Sequence, residues 1–293
     1  AQAKHHQAQL GIATNSDIMK ENLRIMQDIA PAESYGLILG SHATGWLPST
    51  NAQYSRSFGI DGDTSNAINI PELATTLEQS FPSGNLEFTL FDACMMGTAE
   101  VFYELRNATH YCVASVMETP IAGFPYDRFF INLYEDVIDY AKICSETAQF
   151  NKENNWWGTY AAVDCTAMGE VAQAIQAELL SHQSELQTLD YTQVQQYGYG
   201  EYRYFSFDVV DFISQLNGGV VSANVQSSIN KAVIAKDCLD GEEYPLGTLK
   251  IAPERFCGMG MYFPGRNISY TWDRYCQSSI AWYNAAGWDK IQP

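Results

Sequence analysis

The chain has 293 residues, of which 46% are hydrophobic, and 34 acidic against 16 basic side chains give it a formal charge of −18. This length and apolar content suit a globular protein with a large core, and the negative charge disfavours nucleic acid and anionic membranes as partners. No apolar run of about 18 residues occurs, so we expect no transmembrane segment in this chain, and any export signal would lie upstream of it.

The first elements along the chain are a helix and a strand. Met19, Leu23 and Met26 recur at helical spacing, which predicts a helix over Ser16–Ile29. The apolar run at 35–42 then predicts a buried strand that delivers His42 at its end.

A second apolar run, at 86–94, predicts a strand that carries Asp92 and ends at Cys94. A polar loop at 44–69 and a short helix opened by Pro71 lie between the two runs. The carboxyl ends of parallel strands form the ligand crevice of such a sheet, so His42 and Cys94 are expected on one rim.

Further elements predict an α/β protein. They are a helix that follows Cys94, a strand at 111–115, a helix at 127–150 and a strand at 159–165. Residues 166–257 are mainly helical in pattern, including a stretch at 220–236, and residues 258–293 are expected to contain a late strand returning to the sheet and a closing helix. We therefore predict a catalytic domain at 1–165, a helical subdomain at 166–257 and a final segment at 258–293.

The seven cysteines are an odd number, so at least one is unpaired, and Cys94 is the candidate. The sequence has no CxxC or Cys/His cluster at metal-ligand spacing, which makes a zinc site unexpected. Asp61 and Asp63 resemble the start of a calcium loop, but the later carboxylate is absent. We therefore predict no metal and no cofactor, with calcium as the open alternative.

His42 and Cys94 together suit cysteine-peptidase chemistry, in which a thiolate attacks a carbonyl and a histidine protonates the leaving amine. A helix beginning directly after Cys94 would lower the pKa of its thiol. A tyrosine-phosphatase loop would need an arginine where Glu100 stands, and papain-like enzymes carry the cysteine before the histidine. Taken singly, a buried cysteine is usually a packing residue and a histidine at a strand end is usually structural.

An ordered set of motifs carries a resemblance to a known family. The matching segments are residues 31–46, 57–61, 71–73, 91–97, 113–115, 123–126, 208–212 and 260–264. The sequence resembles the clostripain-like cysteine peptidases, of the clan of caspases, legumains and gingipains. This resemblance implies a caspase-like three-layer α/β/α sandwich with a mostly parallel central sheet, and it implies a strand, a helix and a strand upstream of Ala1.

The resemblance also implies roles for individual residues. Cys94 would be the nucleophile and His42 the general acid/base, with the N–H groups of Ala43 and Cys94 forming an oxyanion hole. Asp92 and Ser115 would bind substrate, with Asp92 reading Arg or Lys at P1, the residue before the cleaved bond. The alternative for Asp92 is a helix cap near Cys94.

Two further expectations follow from the resemblance. Arg56 is the only basic residue between Ala43 and Ala93, which makes it the candidate site of activating self-cleavage. The protein would be secreted, periplasmic or surface-anchored in a bacterium.

Ala43 stands where the family usually has glycine, and an alanine held at positive φ would cost about 1–2 kcal/mol. The alternative function is therefore a weak or inactive relative that binds peptides or partner proteins.

Overall fold

A computed structural model describes residues 12–48, 57–59, 67–199, 203–239, 251–265 and 269–291. The strands are β1 (Tyr35–Gly40), β2 (Leu86–Asp92), β3 (Tyr111–Ser115), β4 (Thr159–Asp164), β5 (Gln196–Tyr199), β6 (Arg203–Asp208), β7 (Val233–Cys238) and β8 (Gly260–Met261). The α-helices are α1 (Ser16–Ile29), α2 (Ile70–Ser80), α3 (Ala99–Glu104), α4 (Tyr126–Phe129), α5 (Tyr140–Glu153), α6 (Met168–Ser181), α7 (Gln183–Thr188), α8 (Val209–Leu216), α9 (Ala223–Ala232), α10 (Tyr270–Ser279) and α11 (Ala281–Ala285).

The central sheet has the order β1-β2-β3-β4-β7. The first three strands are parallel, whereas β4 runs antiparallel to both β3 and β7. The sheet is therefore mixed, and the expected mostly parallel arrangement holds for every strand in it except β4. The sequence pattern predicts where a strand lies, but its residues carry no mark of the direction in which it runs.

The central sheet has an apolar core on each face, as a three-layer α/β/α sandwich requires. On β2, Phe88 and Leu90 join a core that includes Ile143 of α5. Phe91, the next residue of β2, joins the larger core on the opposite face, which includes Phe102 of α3. The expected caspase-like architecture is confirmed in this respect, because alternate residues of one strand serve two helical layers.

Among the described residues β1 pairs with β2 alone, and it is not the buried strand that its apolar run predicted. Its residues alternate between half-buried and exposed, and Ile38 is 36% exposed. A side chain at Gly36 would meet the ring of Phe88 at 2.2 Å, so the neighbouring strand fills that space. A short apolar run occurs in half-exposed as well as in buried strands, so sequence alone did not distinguish them.

Helix α1 has the predicted bounds, and the side chain of Asn15 caps it by accepting the N–H groups of Asp17 and Ile18. The predicted apolar face is correct at Leu23, but Met26 is 58% exposed.

Several boundaries in the second half differ from the expectation. The helix predicted at 127–150 is α4, a short 3-10 segment and α5, and the stretch at 220–236 is α9 followed by β7. The described part of residues 166–257 is not purely helical, because it includes β5, β6 and β7, and β7 joins the central sheet. The late strand β8 pairs with β6 in a second sheet with β5, so it does not return to the central sheet. The described part of the chain has no helix of membrane-spanning length and apolarity.

Candidate active site

His42 and Cys94 lie at the same edge of the central sheet. In the register of β1 and β2, Gly40 pairs with Asp92, and the N–H of Ser41 donates to the carbonyl of Asp92 at 3.3 Å. Each of the two side chains therefore follows its strand by two residues beyond the last paired position. His42 is exposed and Cys94 is half-buried.

The segment that follows β3 holds Cys94 in place. The N–H of Thr119 donates to Sγ of Cys94 at 3.4 Å, and Oγ1 of Thr119 donates to the carbonyl of Ala93 at 3.2 Å. The N–H of Met95 donates to the carbonyl of Met117 at 2.9 Å. Sequence analysis missed this clamp, because bonds between loops leave no periodic signal.

The backbone is strained directly after the cysteine. Met95 has a φ of +61°, which is unusual for a residue with a side chain, and it is buried. Gly45, in the loop that follows His42, lies against it: a Cβ there would come within 2.5 Å of the carbonyl oxygen of Met95. The histidine loop and the cysteine loop therefore interlock through this contact. Strain of this kind is concentrated at functional sites.

The thiol of Cys94 is not activated in the way the sequence predicted. Helix α3 begins only at Ala99, with Thr98 as its N-cap, so no helix N-terminus lies at the sulfur. Burial raises the pKa of the Cys94 thiol to about 11, the N–H of Thr119 opposes this shift, and the negative charges of Glu118 and Asp92 add to it. The free protein thus carries a neutral thiol near pH 7.

The two N–H groups expected at the oxyanion hole have no protein acceptor among the described residues. Ala43 forms an antiparallel bridge with Phe58, and the hydrogen bonds of that bridge use the N–H groups of Thr44 and Gly59. The N–H groups of Ala43 and Cys94 are left without such a bond. Ala43 is not among the residues with positive φ, so its side chain adds no backbone strain.

Asp92 does not cap a helix. Its Oδ2 accepts the hydroxyl of Tyr126 at 2.8 Å and the N–H of Phe124 at 3.3 Å. Gly123, with a φ of +67°, lies so close that a Cβ there would meet Oδ2 at 2.5 Å. The same Cβ would come within 2.7 Å of Oδ1, so the loop before α4 packs against both oxygens of this half-buried carboxylate, whereas its hydrogen bonds go to Oδ2.

Ser115 is in a different position from the one its expected role required. Its side chain is fully buried, its hydroxyl lies 3.1 Å from that of Thr159, and it accepts the N–H of Met117 at 3.2 Å. Ser115 therefore supports the segment that holds Cys94, through its bond to Met117, and its side chain is not exposed to a substrate. Its place in a recognised motif gave no signal about its burial.

Other expectations concern metals and self-cleavage. Arg56, Asp61 and Asp63 lie outside the described residues. Across the part of the chain that the structure describes, no group of three or more His, Cys, Asp or Glu side chains is arranged to hold a metal ion. Glu118 was missed by sequence analysis, although it is only 7% exposed and its charge acts on Cys94.

Comparison with known proteins gives a consistent result. A sequence model of the Clostripain family matches residues 5–291. The curated relative clostripain from Hathewaya histolytica is 26% identical over 125 residues, which are 39% of this chain and 23% of the relative. The match thus spans less than a quarter of that protein.

Two solved structures have the same fold. A secreted C11 cysteine protease from Bacteroides thetaiotaomicron, in complex with an irreversible peptide inhibitor, is 24% identical and has a TM-score of 0.77, covering 94% of this chain and 79% of that one. An inactive zymogen C11 protease from Parabacteroides distasonis is 25% identical and has a TM-score of 0.74, covering 94% of this chain and 76% of that one.

Proposed function

The chain belongs to the clostripain family of cysteine peptidases, and on this premise we propose that it is an endopeptidase that cleaves after Arg or Lys with Cys94 as nucleophile and His42 as general acid/base. The observation that carries the proposal is the parallel pairing of β1 and β2, since it brings His42 and Cys94 to the same sheet edge. Nucleophile and base must meet at the same scissile bond.

The raised pKa of Cys94 determines the order of proton transfers. The thiol is neutral near pH 7, so its proton has to leave as the sulfur attacks the peptide carbonyl, and His42 would accept it. His42 would then give a proton to the leaving amine as the C–N bond breaks. Water would hydrolyse the resulting thioester, releasing the acid and restoring the thiol. These steps balance without a metal or cofactor.

Two backbone groups would stabilise the tetrahedral intermediate. The N–H groups of Ala43 and Cys94 have no protein acceptor within the described residues, and such donors stabilise an oxyanion. The alternative, a protein that only binds peptides, rested on alanine replacing glycine at position 43. It is not favoured, because Ala43 does not need a positive φ.

Asp92 would read the P1 side chain. It is half-buried, it lies two residues before the nucleophile, and its Oδ1 has no hydrogen bond to a described residue. A carboxylate in such a place suits a guanidinium or an ammonium group. The formal charge of −18 adds a long-range attraction for basic substrates.

Maturation by cleavage after Arg56 is also part of the proposal. The carbonyl of Ser57, the residue that would follow the cut, accepts the N–H of Thr44 at 3.0 Å. Ser57 is therefore held close to the histidine loop. We propose secretion or attachment to the cell envelope, in line with the relative described as secreted.

Cleavage of matched fluorogenic peptides with Arg, Lys, Ala or Asp at P1 tests the proposal. We expect turnover only for Arg and Lys, and none by Cys94→Ala. The Cys112→Ala variant is a matched control, because Cys112 is a fully buried cysteine on β3, and it should keep the P1 preference. Turnover of Ala or Asp peptides at equal rates, or turnover by Cys94→Ala, would overturn the proposal.

A further inference from the structure

The carboxylate of Asp92 is held unevenly. Oδ2 receives two hydrogen bonds, from the hydroxyl of Tyr126 and the N–H of Phe124, whereas Oδ1 receives none from the described residues. A carboxylate that offers both oxygens can accept the two parallel N–H groups of an arginine fork. A carboxylate with one oxygen already occupied offers a single good acceptor.

Tyr126 is well fixed in this position. It is the first residue of α4, and its ring packs against Phe124 and Phe129 with centroid distances of 6.5 Å and 5.7 Å. Burial, followed by the charge of Asp92, raises the pKa of its hydroxyl. The hydroxyl therefore stays protonated near neutral pH and remains a donor to the carboxylate.

We propose that Tyr126 is a specificity-determining residue, which occupies one oxygen of Asp92 and thereby favours lysine over arginine at P1. The inference rests on the proposed P1-reading role of Asp92. Lysine presents a compact ammonium group that is satisfied by one strong acceptor, whereas arginine gains most from a two-point contact. Tyr126 would act through Asp92, without touching the reacting atoms.

The Tyr126→Phe variant tests this inference. Phenylalanine keeps the ring contacts and removes only the hydroxyl, so Oδ2 becomes available to the substrate. We expect the ratio of kcat/KM for P1 Arg over P1 Lys to rise roughly fivefold or more, as one charge-assisted hydrogen bond would allow. Tyr134→Phe is the matched control, because Tyr134 is 75% exposed, and it should leave the ratio unchanged.

A competition experiment makes the result independent of folding yield. Arg and Lys peptides of different mass are mixed with one enzyme sample, so the product ratio is insensitive to the folded fraction. An unchanged ratio in Tyr126→Phe, or an equal fall for both peptides, would overturn the inference.

The Asp92→Asn variant distinguishes failure of the inference about Tyr126 from failure of the proposed function. If Asp92→Asn loses the basic preference while Tyr126→Phe has the wild-type ratio, only the tyrosine inference is wrong. If Asp92→Asn keeps the basic preference, the role of Asp92 is wrong and the tyrosine inference falls with it.

Discussion

The two halves of the candidate dyad are built differently. Cys94 follows β2, an interior strand, is half-buried, and is held by the segment after β3. His42 follows β1, which pairs with β2 alone among the described residues, and is exposed. The contrast teaches that hydrogen bonds from the segment after β3 hold Cys94, while His42 depends for its position on the loop that contains Gly45.

We expect the largest effect from disrupting the contact between Gly45 and Met95, which joins the histidine loop to the cysteine loop. Gly45→Ala would bring a Cβ to 2.5 Å from a backbone oxygen, which cannot move aside cheaply. We expect peptidase activity to fall by roughly 100-fold or more, because small displacements of catalytic groups are costly. The measurement is kcat/KM with a basic P1 peptide.

Gly84→Ala is the matched control for that variant. Gly84 has a φ of +66°, close to the +63° of Gly45, but a Cβ there meets nothing within 4 Å. It should therefore cost only the backbone strain of about 1–2 kcal/mol in the free energy of unfolding and keep its activity. Equal activity of the two variants would contradict the interlock.

Glu100 is a buried carboxyl group that is linked to the histidine loop through Tyr262. It is fully buried on α3 and its Oε1 accepts the N–H of Tyr262 at 2.7 Å. The ring of Tyr262 packs against Trp46 of the histidine loop at 4.9 Å. Burial raises the pKa of Glu100 to about 7, against a partial opposing effect of the Tyr262 N–H.

The pH dependence of stability should reveal this group. Below about pH 4.5 Glu100 is protonated in both states, so it adds no pH dependence. As the pH rises towards 7, the unfolded chain releases the proton first, and the folded protein loses about 3 kcal/mol of unfolding free energy. Glu100→Gln stays neutral and keeps an acceptor for Tyr262, so it should avoid this loss.

Urea unfolding of wild type and Glu100→Gln at pH 5 and pH 8 is the measurement. The variant should be more stable than wild type, and this difference should grow with pH. Asp208, whose pKa burial raises to about 6, is present in both proteins, so its effect cancels in the difference. A difference that stays constant between the two pH values would contradict the assignment.

A smaller effect is expected from removing the negative charge of Asp92, which acts on the thiol of Cys94. The negative charge of Asp92 contributes to the raised pKa of Cys94, so Asp92→Asn should lower that pKa and increase the thiolate fraction at pH 8. We expect a severalfold faster alkylation by iodoacetamide, a neutral reagent that does not use a P1 pocket. Slower alkylation would show that the charge of Asp92 does not oppose thiolate formation.

Sequence was sufficient for those parts of the fold that depend on local pattern. It predicted the bounds of α1, the positions of β2 and β3, and the strands that lead to His42 and Cys94. Apolar periodicity and helix-capping residues encode such features along the chain.

Sequence was insufficient where distant segments meet. The reversed direction of β4, the partial exposure of β1 and the clamp of Thr119 on Cys94 depend on contacts between distant segments. The hydrogen bond from Tyr126 to Asp92 links residues 34 positions apart. The pKa of Cys94 was predicted in the wrong direction because burial raises it, and because the turn before α3 keeps the helix N-terminus away from the sulfur.

The most direct test of the account is kcat/KM of His42→Ala on the basic P1 peptides, with Cys94→Ala as the reference for lost activity. If the exposed histidine and the half-buried cysteine act as a pair, His42→Ala should lose at least roughly 100-fold, since its neutral thiol then has no proton acceptor. A His42→Ala variant that keeps more than about a tenth of wild-type activity would contradict the pairing.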